Sequence, residues 1–355
     1  MSKSQAFALI LAGGGGTRLW PASRRSRPKQ LLALGGAESL IAATFGRVSR
    51  ILGVEQTLVV TAADQAEAMR AALPGLPSEN LVAEPVARNT GPAVGLGAIT
   101  AARRAGDDVR LAVIPSDAFI ADEAEFGRVL GVALEQAAET IVTVGLRPTR
   151  PETGYGYLQR GALVRDGVYQ VARFVEKPDA VTAGHYLAAG DYLWNSGMFF
   201  FTARRLLDEA RTHMPVLAAI LAEIRQSADP VATANSRYLA APNISIDYGI
   251  MEKSSGIRVV PGDFGWNDVG SWSALGDIRA QDGAGNVALG DVVLRAVSGS
   301  VVVSEPGAPM VGVVGVDDLV VVATKDAVLV VRKARAQEVR AVVDALVASG
   351  RNELL

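Results

Sequence analysis

Cysteine is absent from this 355-residue chain, and histidine occurs only twice, as His185 and His213. The first absence excludes disulfides, thiolate metal sites and a Cys nucleophile. The second leaves too few soft ligands for a dedicated zinc site. A cysteine-free chain also suits a reducing compartment. An excess of one charge sign is lacking too, because 35 Lys and Arg stand against 37 Asp and Glu, a net charge of −2. No overall basic field therefore draws in nucleic acid or an anionic membrane. Long apolar runs are missing as well. The early stretch 7–11 is short, has no basic leader and runs into glycines, so it reads as neither a signal peptide nor a membrane span. The expectation is a soluble, cytoplasmic protein with no nucleic-acid or membrane partner.

What is present is ordinary globular composition, 49% apolar and 20% charged, over a length that accommodates roughly two domains. In the first half, short runs rich in Val, Ile and Leu alternate with helical stretches. Residues 7–11, 57–61, 110–115 and 140–145 read as buried strands; 39–52, 64–73, 90–104 and 124–139 read as helices. Asn89 or Thr90 is placed to cap the third helix, with Pro92 in its first turn. Such alternation predicts an α/β fold: a Rossmann-like mixed, mostly parallel sheet with helices on both faces and ligands beyond the carboxyl ends of its strands. Residues 155–160, 168–176 and 194–201 extend the strand pattern. After Gly283 the composition turns to dense Val with Gly turns, which predicts a small β-rich domain. The expected division is a catalytic domain over 1–283 and a β-rich domain over 284–355. The last helix is expected to bury Val339, Val342, Val343 and Leu346 and to stop at Gly350.

The strongest local feature is the loop that follows the first strand. Gly13, Gly14, Gly15 and Gly16 let backbone approach a ligand closely and aim N–H groups at anionic oxygens. Thr17 and Arg18 follow, and the planar Arg fork suits phosphate; Lys29 adds a second positive charge on a mobile stem. A glycine run alone reads as a turn, but a turn does not explain the cations beside it. The familiar phosphate loops do not apply. There is no G-x-x-x-x-G-K-[S/T], and G-x-G-x-x-G would need its last glycine at Arg18 or Leu19.

The stretch from Gly13 to Arg24, with Leu19-Trp20-Pro21 inside it and Pro28-Lys29-Gln30 after it, closely resembles the signature loop of sugar-nucleotide pyrophosphorylases. Its details are most similar to the mannose-1-phosphate guanylyltransferase branch, and the likeness runs over almost the whole chain. The resemblance implies a nucleotidyltransferase fold of type A with a small β-helix-like tail. It also implies a Mg²⁺-dependent reaction of GTP with mannose 1-phosphate to give GDP-mannose. Leu11, Ala12, Gly13, Gly14, Gly15 and Thr17 are thereby placed on the nucleotide side, with Arg18 and Lys29 on the triphosphate.

Seven further motifs carry the resemblance. Glu84-Pro-Val-Ala-Arg88-Asn89-Thr90 matches the segment facing the base, and the acceptor edge of guanine suits Arg88 and Asn89 as readers. Ser116-Asp117 ends a buried strand where the family has a metal-binding Asp; the family motif continues with His, whereas this chain has Ala118. Asp268, between glycines and two tryptophans, is implied as the second metal ligand, and two carboxylates with phosphate oxygens and water suit Mg²⁺. On the sugar side the resemblance places Gly154, Tyr155, Glu176, Lys177, Asn195 and Asp247, with Lys177 on the sugar phosphate.

The expected chemistry is a single in-line transfer without a protein nucleophile, driven by positioning and charge neutralisation. Asp117, Asp268, Arg18, Lys29 and Lys177 are the catalytic candidates. Two alternatives stay open: a pyrophosphorylase for another nucleotide or hexose, and a non-catalytic GDP-mannose sensor. A fused isomerase is not expected, since the chain has neither the length nor the histidines for it. A homodimer is a family inference only.

Overall fold

The computed structural model describes residues 5–14 and 16–355. The chain divides into two compact units, each assembled from separated stretches. The first comprises Met1–Gly13, Phe45–Ser116 and Asp122–Trp266; the second comprises Gly14–Thr44, Asp117–Ala121 and Asn267–Leu355.

The first unit is built on one nine-stranded sheet. Its strands are β1 (Ala6–Ala12), β2 (Thr57–Ala62), β3 (Leu81–Glu84), β4 (Arg110–Pro115), β5 (Val142–Leu146), β6 (Tyr157–Arg165), β7 (Val168–Val175), β8 (Tyr192–Thr202) and β9 (Arg258–Gly262). Their order is β3-β2-β1-β4-β8-β5-β9-β7-β6. The run β3-β2-β1-β4 is parallel, as is the β5–β9 pair, while β8 runs antiparallel to both β4 and β5. The central strands are covered on both faces, which is why β1 and β4 read as unbroken apolar runs. Phe199 and Phe201 of β8 join Leu9, Leu111 and Val113 in the core on one face.

Helices α1 (Leu40–Leu52), α2 (Ala66–Ala72), α3 (Thr90–Ala105), α4 (Glu123–Gln136), α5 (Ala180–Ala189), α6 (Ala203–His213), α7 (Pro215–Gln226) and α8 (Pro230–Arg237) follow the strands. Their starts have local causes. The Asp122 carboxylate accepts from the N–H groups of Ala124 and Glu125, and Glu123 and Glu125 add negative charge to the first turn of α4. Asp179, Thr202 and Asp229 cap α5, α6 and α8 in the same way, and Pro215 and Pro230 occupy first-turn positions. Asn89 caps α3 at a φ of 67°. No helix among the described residues is long and apolar enough to cross a membrane.

The second unit holds Gly14–Thr44 and the valine-rich strands β10 (Val287–Leu289), β11 (Val292–Ser298), β12 (Val301–Ser304), β13 (Val311–Asp317), β14 (Leu319–Ala323) and β15 (Val328–Arg332). Strands β10, β12 and β14 stack in parallel, β15 returns antiparallel, and β11 pairs in parallel with β13. Val301 and Val303, with Val320 and Val322, enter one core; Val302 and Val321 enter another. Burial on both faces explains the unbroken valine runs. A short helix α9 (Leu275–Ile278) precedes these strands, and α10 (Arg340–Ala348) follows them. The last helix differs from expectation. Val339 is buried and Val343 and Leu346 pack partly against the core, but Val342 is exposed. The buried stripe is one residue narrower than the apolar spacing implies.

Trp272 is fully buried, and its indole N–H donates to the carbonyl of Trp20 at 2.9 Å. It thereby joins the loop after β1 to the segment carrying Asp268. Trp272→Ala is expected to cost about 3–5 kcal/mol, read as a lowered urea midpoint.

Candidate active site

In the second unit the two metal candidates, Asp117 and Asp268, converge on Lys29. Its residue is buried, within a short 3₁₀ turn (Lys29–Leu31). Its ammonium donates to Asp117 Oδ2 at 2.7 Å and also to the main-chain carbonyl of Asp268. The two acidic segments meet because Phe119 and Asn267 form an isolated antiparallel bridge, with N–H···O distances of 2.8 and 3.0 Å. The Asp268 carboxylate also accepts from the Gly270 N–H at 3.2 Å. Lys29 was expected on a mobile stem; the structure instead buries and clamps it. Gly16 makes room for it, since a Cβ there would run into the Lys29 Cβ.

Arg18 is exposed and donates to Gln337 Oε1 at 2.8 Å. Two other loop arginines have different tasks: Arg24 pairs with Asp326 at 3.0 Å and Arg27 with Glu305 at 2.8 Å. Thr17 is exposed and Ala118 is buried. Gly14, at a φ of 103°, has open space where a Cβ would stand, as does Gly13 in the first unit. Both leave backbone accessible to a ligand. Gly15 lies outside the described residues.

In the first unit the sugar candidates come from the start of β6, the end of β7, the body of β8 and a turn at Asp247. The Asp247 carboxylate accepts from Asn195 Nδ2 at 3.1 Å, and Asn195 Oδ1 accepts from the Thr143 hydroxyl at 3.1 Å. Glu176 Oε1 pairs with Lys177 Nζ at 2.5 Å. Glu176 Oε2 is buried and has no partner among the described residues. It lies over Gly156, where a Cβ would collide with it. An unmatched buried acceptor of this kind is what a ligand hydroxyl would satisfy. Tyr155 accepts the Lys177 N–H on its carbonyl and packs edge-on against both Trp194 and Trp266. Gly154 donates its N–H to Glu152.

Electrostatics in this cluster follow from burial. Burial first, and then the neighbouring Glu176 charge, push the Asp247 carboxyl up to about 6. Burial pulls Lys177 down, but Glu176 and Asp247 outweigh it and leave its ammonium favoured beyond the ordinary range.

The base candidates lie along the end of β3 and the start of α3. The Glu84 carboxyl is buried and accepts the Tyr238 hydroxyl at 2.6 Å, and burial raises its pKa. Arg88 donates to the Leu239 carbonyl at 2.6 Å, Asn89 caps α3, and the Thr90 hydroxyl accepts the Ile246 N–H at 3.0 Å. At the ends of the parallel strands, Leu11 and Ala12 are partly buried and buried, and the buried Ser116 donates its N–H to the Leu11 carbonyl at 3.1 Å.

With this geometry established, the likenesses of the chain become informative. A family model described as Nucleotidyl transferase matches residues 7–284. The Escherichia coli K12 protein named mannose-1-phosphate guanylyltransferase is 42% identical over 369 residues, covering 99% of this chain and 76% of that protein. This chain belongs to the mannose-1-phosphate guanylyltransferase family of nucleotidyl transferases. The xanthan biosynthesis protein XanB of Xanthomonas campestris is also 42% identical, covering 99% of this chain and 75% of its own length. A solved structure from Thermus thermophilus, described as a mannose-1-phosphate geranyltransferase, superposes with a TM-score of 0.89 at 39% identity, over 96% of this chain and 99% of that one. A second family model, MannoseP isomerase/GMP-like beta-helix domain, matches residues 290–346. The expected fold, an α/β nucleotidyltransferase with a β-helix-like tail, is the fold of this family.

Sequence reasoning missed two members of the sugar cluster. Thr143 supports Asn195 from inside β5, and Glu252 accepts the Glu176 N–H at 2.8 Å. Glu252 follows a five-residue π-helix (Asp247–Met251), a rare turn common at functional sites. Nothing in the spacing of the residues announces such a turn.

The raised Asp247 pKa has a testable sign. Because the folded state favours the neutral carboxyl, its stabilising effect is full below the unfolded pKa, about pH 4, and is lost as pH rises through about 6. Asp247→Asn should therefore match the ligand-free wild type in stability near pH 3 and exceed it near pH 7.5 by up to about 3 kcal/mol. A constant offset across that range would remove the ionised carboxylate as the cause.

Proposed function

We infer that this chain transfers the guanylyl group of GTP to mannose 1-phosphate, giving GDP-mannose and diphosphate. The observation that carries the reading is the joint presence of two clusters in a chain of this family. One places a lysine and two aspartates around a shared oxygen set; the other unites Glu176, Lys177, Asn195 and Asp247. We assign the catalytic part to residues 1–283, with 284–355 as the β-rich domain. The cysteine-free composition fits a cytoplasmic location.

The chemistry is one displacement. An oxygen of the mannose 1-phosphate monoester forms a bond to the α-phosphorus of GTP, the bond from that phosphorus to the β-phosphate oxygen breaks, and diphosphate leaves with the electron pair. Gly13 and Gly14 give backbone room for the nucleotide, with Leu11, Ala12, Thr17 and Ser116 beside it, and Arg88 and Asn89 read the base from a segment anchored by Glu84. Arg18 and Lys29 hold the triphosphate and balance the charge that builds on diphosphate. Lys177 offsets repulsion between the two anions. Glu176, Asn195 and Asp247 take sugar hydroxyls, with Gly154 and Tyr155 lining that side.

The residues fit a divalent cation. Asp117 and Asp268 offer hard oxygen donors, and the Lys29 ammonium already draws on Asp117 Oδ2 and on the Asp268 main-chain carbonyl beside them. Among the described residues no three His or acidic side chains converge, so water and phosphate oxygens would complete the shell. Bound there, Mg²⁺ supplies neutralisation of phosphate charge.

Diphosphate release is the deciding measurement, with GTP, ATP, UTP, CTP and dTTP crossed against mannose 1-phosphate and glucose 1-phosphate. Release concentrated in the GTP and mannose 1-phosphate pair is expected. A different preferred pair would overturn the specificity, and GDP-mannose binding without any turnover would make the chain a sensor. Asp268→Ala should lower kcat by about 100-fold or more with Tm preserved. Near-normal turnover at limiting Mg²⁺ would remove Asp268 from the metal site.

A further inference from the structure

The base segment and the sugar cluster are stitched together by one stretch of chain. Residues 84–91 make four hydrogen bonds to residues 238–246. Tyr238 donates its hydroxyl to Glu84 at 2.6 Å, and Arg88 donates to the Leu239 carbonyl at 2.6 Å. Gly91 donates its N–H to the Ile244 carbonyl at 3.1 Å, and Ile246 donates its N–H to the Thr90 hydroxyl at 3.0 Å. The approach is close enough to require Gly91, where a Cβ would stand 2.7 Å from the Ile244 oxygen. The next residue after Ile246 is Asp247, which opens the π-helix and accepts from Asn195. At the other end of that turn, Glu252 N–H donates to the Asp247 carbonyl and the Glu252 carboxylate holds the Glu176 N–H.

We propose that Thr90 is a positioning residue for the sugar phosphate: its hydroxyl fixes the Ile246 N–H and thereby aims Asp247 into the sugar cluster. The proposal rests on the assignment of Asp247 to the sugar side given above. Thr90 stands in the segment read as facing the base, yet the hydroxyl is already engaged by Ile246. Its effect passes along the chain to the sugar. The Tyr238–Glu84 bond anchors the far end of the same stretch, so both hydroxyls act on Asp247 through one element. A wide π-turn has poorer intrinsic stability than an α-turn, which makes outside anchors decisive for where its first residue points. A buried N–H that loses its acceptor favours rearrangement of the backbone carrying it.

The test is steady-state kinetics of the full chain with whichever nucleoside triphosphate and sugar phosphate the wild type turns over best. Thr90→Val keeps the side-chain shape and removes the hydroxyl; Thr90→Ser restores it. Thr90→Val is expected to raise KM for the sugar phosphate about tenfold while KM for the nucleotide stays within about twofold, and Thr90→Ser is expected to return the wild-type value. Tyr238→Phe is also expected to raise the sugar-phosphate KM, and it carries the test should Thr90→Val fail to fold. The double variant should show less than the product of the two single effects, because both act through one stretch. A rise confined to the nucleotide KM would make Thr90 a nucleotide contact and overturn the proposal. So would a fall in Tm with neither KM changed. Asp247→Asn, run beside them, separates the two layers. If it leaves the sugar-phosphate KM unchanged, the assignment of Asp247 fails and the proposal with it. If it raises that KM while Thr90→Val and Tyr238→Phe do not, only the coupling fails.

Discussion

A lysine ammonium taken out of water costs several kcal/mol unless oxygens replace its hydration. Lys29 is in that position, with only a tenth of its side chain exposed. It is tolerable because Asp117 and the Asp268 carbonyl both reach it, and those groups come from stretches far apart in the sequence. The constraint spreads outward from there. The loop after β1 must turn so that Gly16 lies against the Lys29 stem, Phe119 and Asn267 must pair, and Trp272 must reach the Trp20 carbonyl. The second unit thus holds a buried ammonium that, with its two partners, joins the unit's three separate stretches of chain. A cation entering among these oxygens would compete with the ammonium already held there, whereas the phosphates of a nucleotide would compete with the oxygens for that ammonium.

The first unit poses the opposite electrostatic problem. Glu176 and Asp247 are two acids close enough that one raises the pKa of the other, with Lys177 as the neighbouring cation. Left alone, the pair is unfavourable. Such arrangements persist where a ligand supplies the missing hydrogen bonds, and perturbed groups of this kind concentrate at functional sites. The frame that holds them is rigid: Asn195 is gripped by Thr143, Glu176 by Glu252, and Gly156 by the absence of any room for a side chain. Asp247 alone stands on a π-turn and depends on contacts outside it.

Much of this was legible along the chain, and the failures have causes. Strands β1, β2 and β4 were placed to within a residue or so because burial on both faces leaves a dense apolar run that nothing else mimics. Helices α5, α6, α7 and α8, and strand β9, are not singled out by the sequence pattern; α6 is strongly polar on one side, and β9 carries Arg258 and Pro261 among few apolar residues. The motif residues Glu176, Lys177, Asn195 and Asp247 were named, but not Thr143 or Glu252, whose work is done through partners. The loop arginines show the same limit. Arg18, Arg24 and Arg27 look alike in sequence, yet Arg24 and Arg27 are tied to Asp326 and Glu305.

By itself, the sequence determined the fold class, the family and the chemical types available: carboxylates, amines, glycine backbone, no thiol and hardly any imidazole. These follow from local pattern and composition, which each stretch of chain expresses on its own. Only the tertiary structure decided that Lys29 is buried between Asp117 and the Asp268 carbonyl, that Asp247 is forced toward neutrality beside Glu176, and that the Thr90 hydroxyl is bound to Ile246. Each of those outcomes depends on groups that meet from distant positions. Desolvation and hydrogen-bond competition are set by such meetings, and no local pattern encodes them.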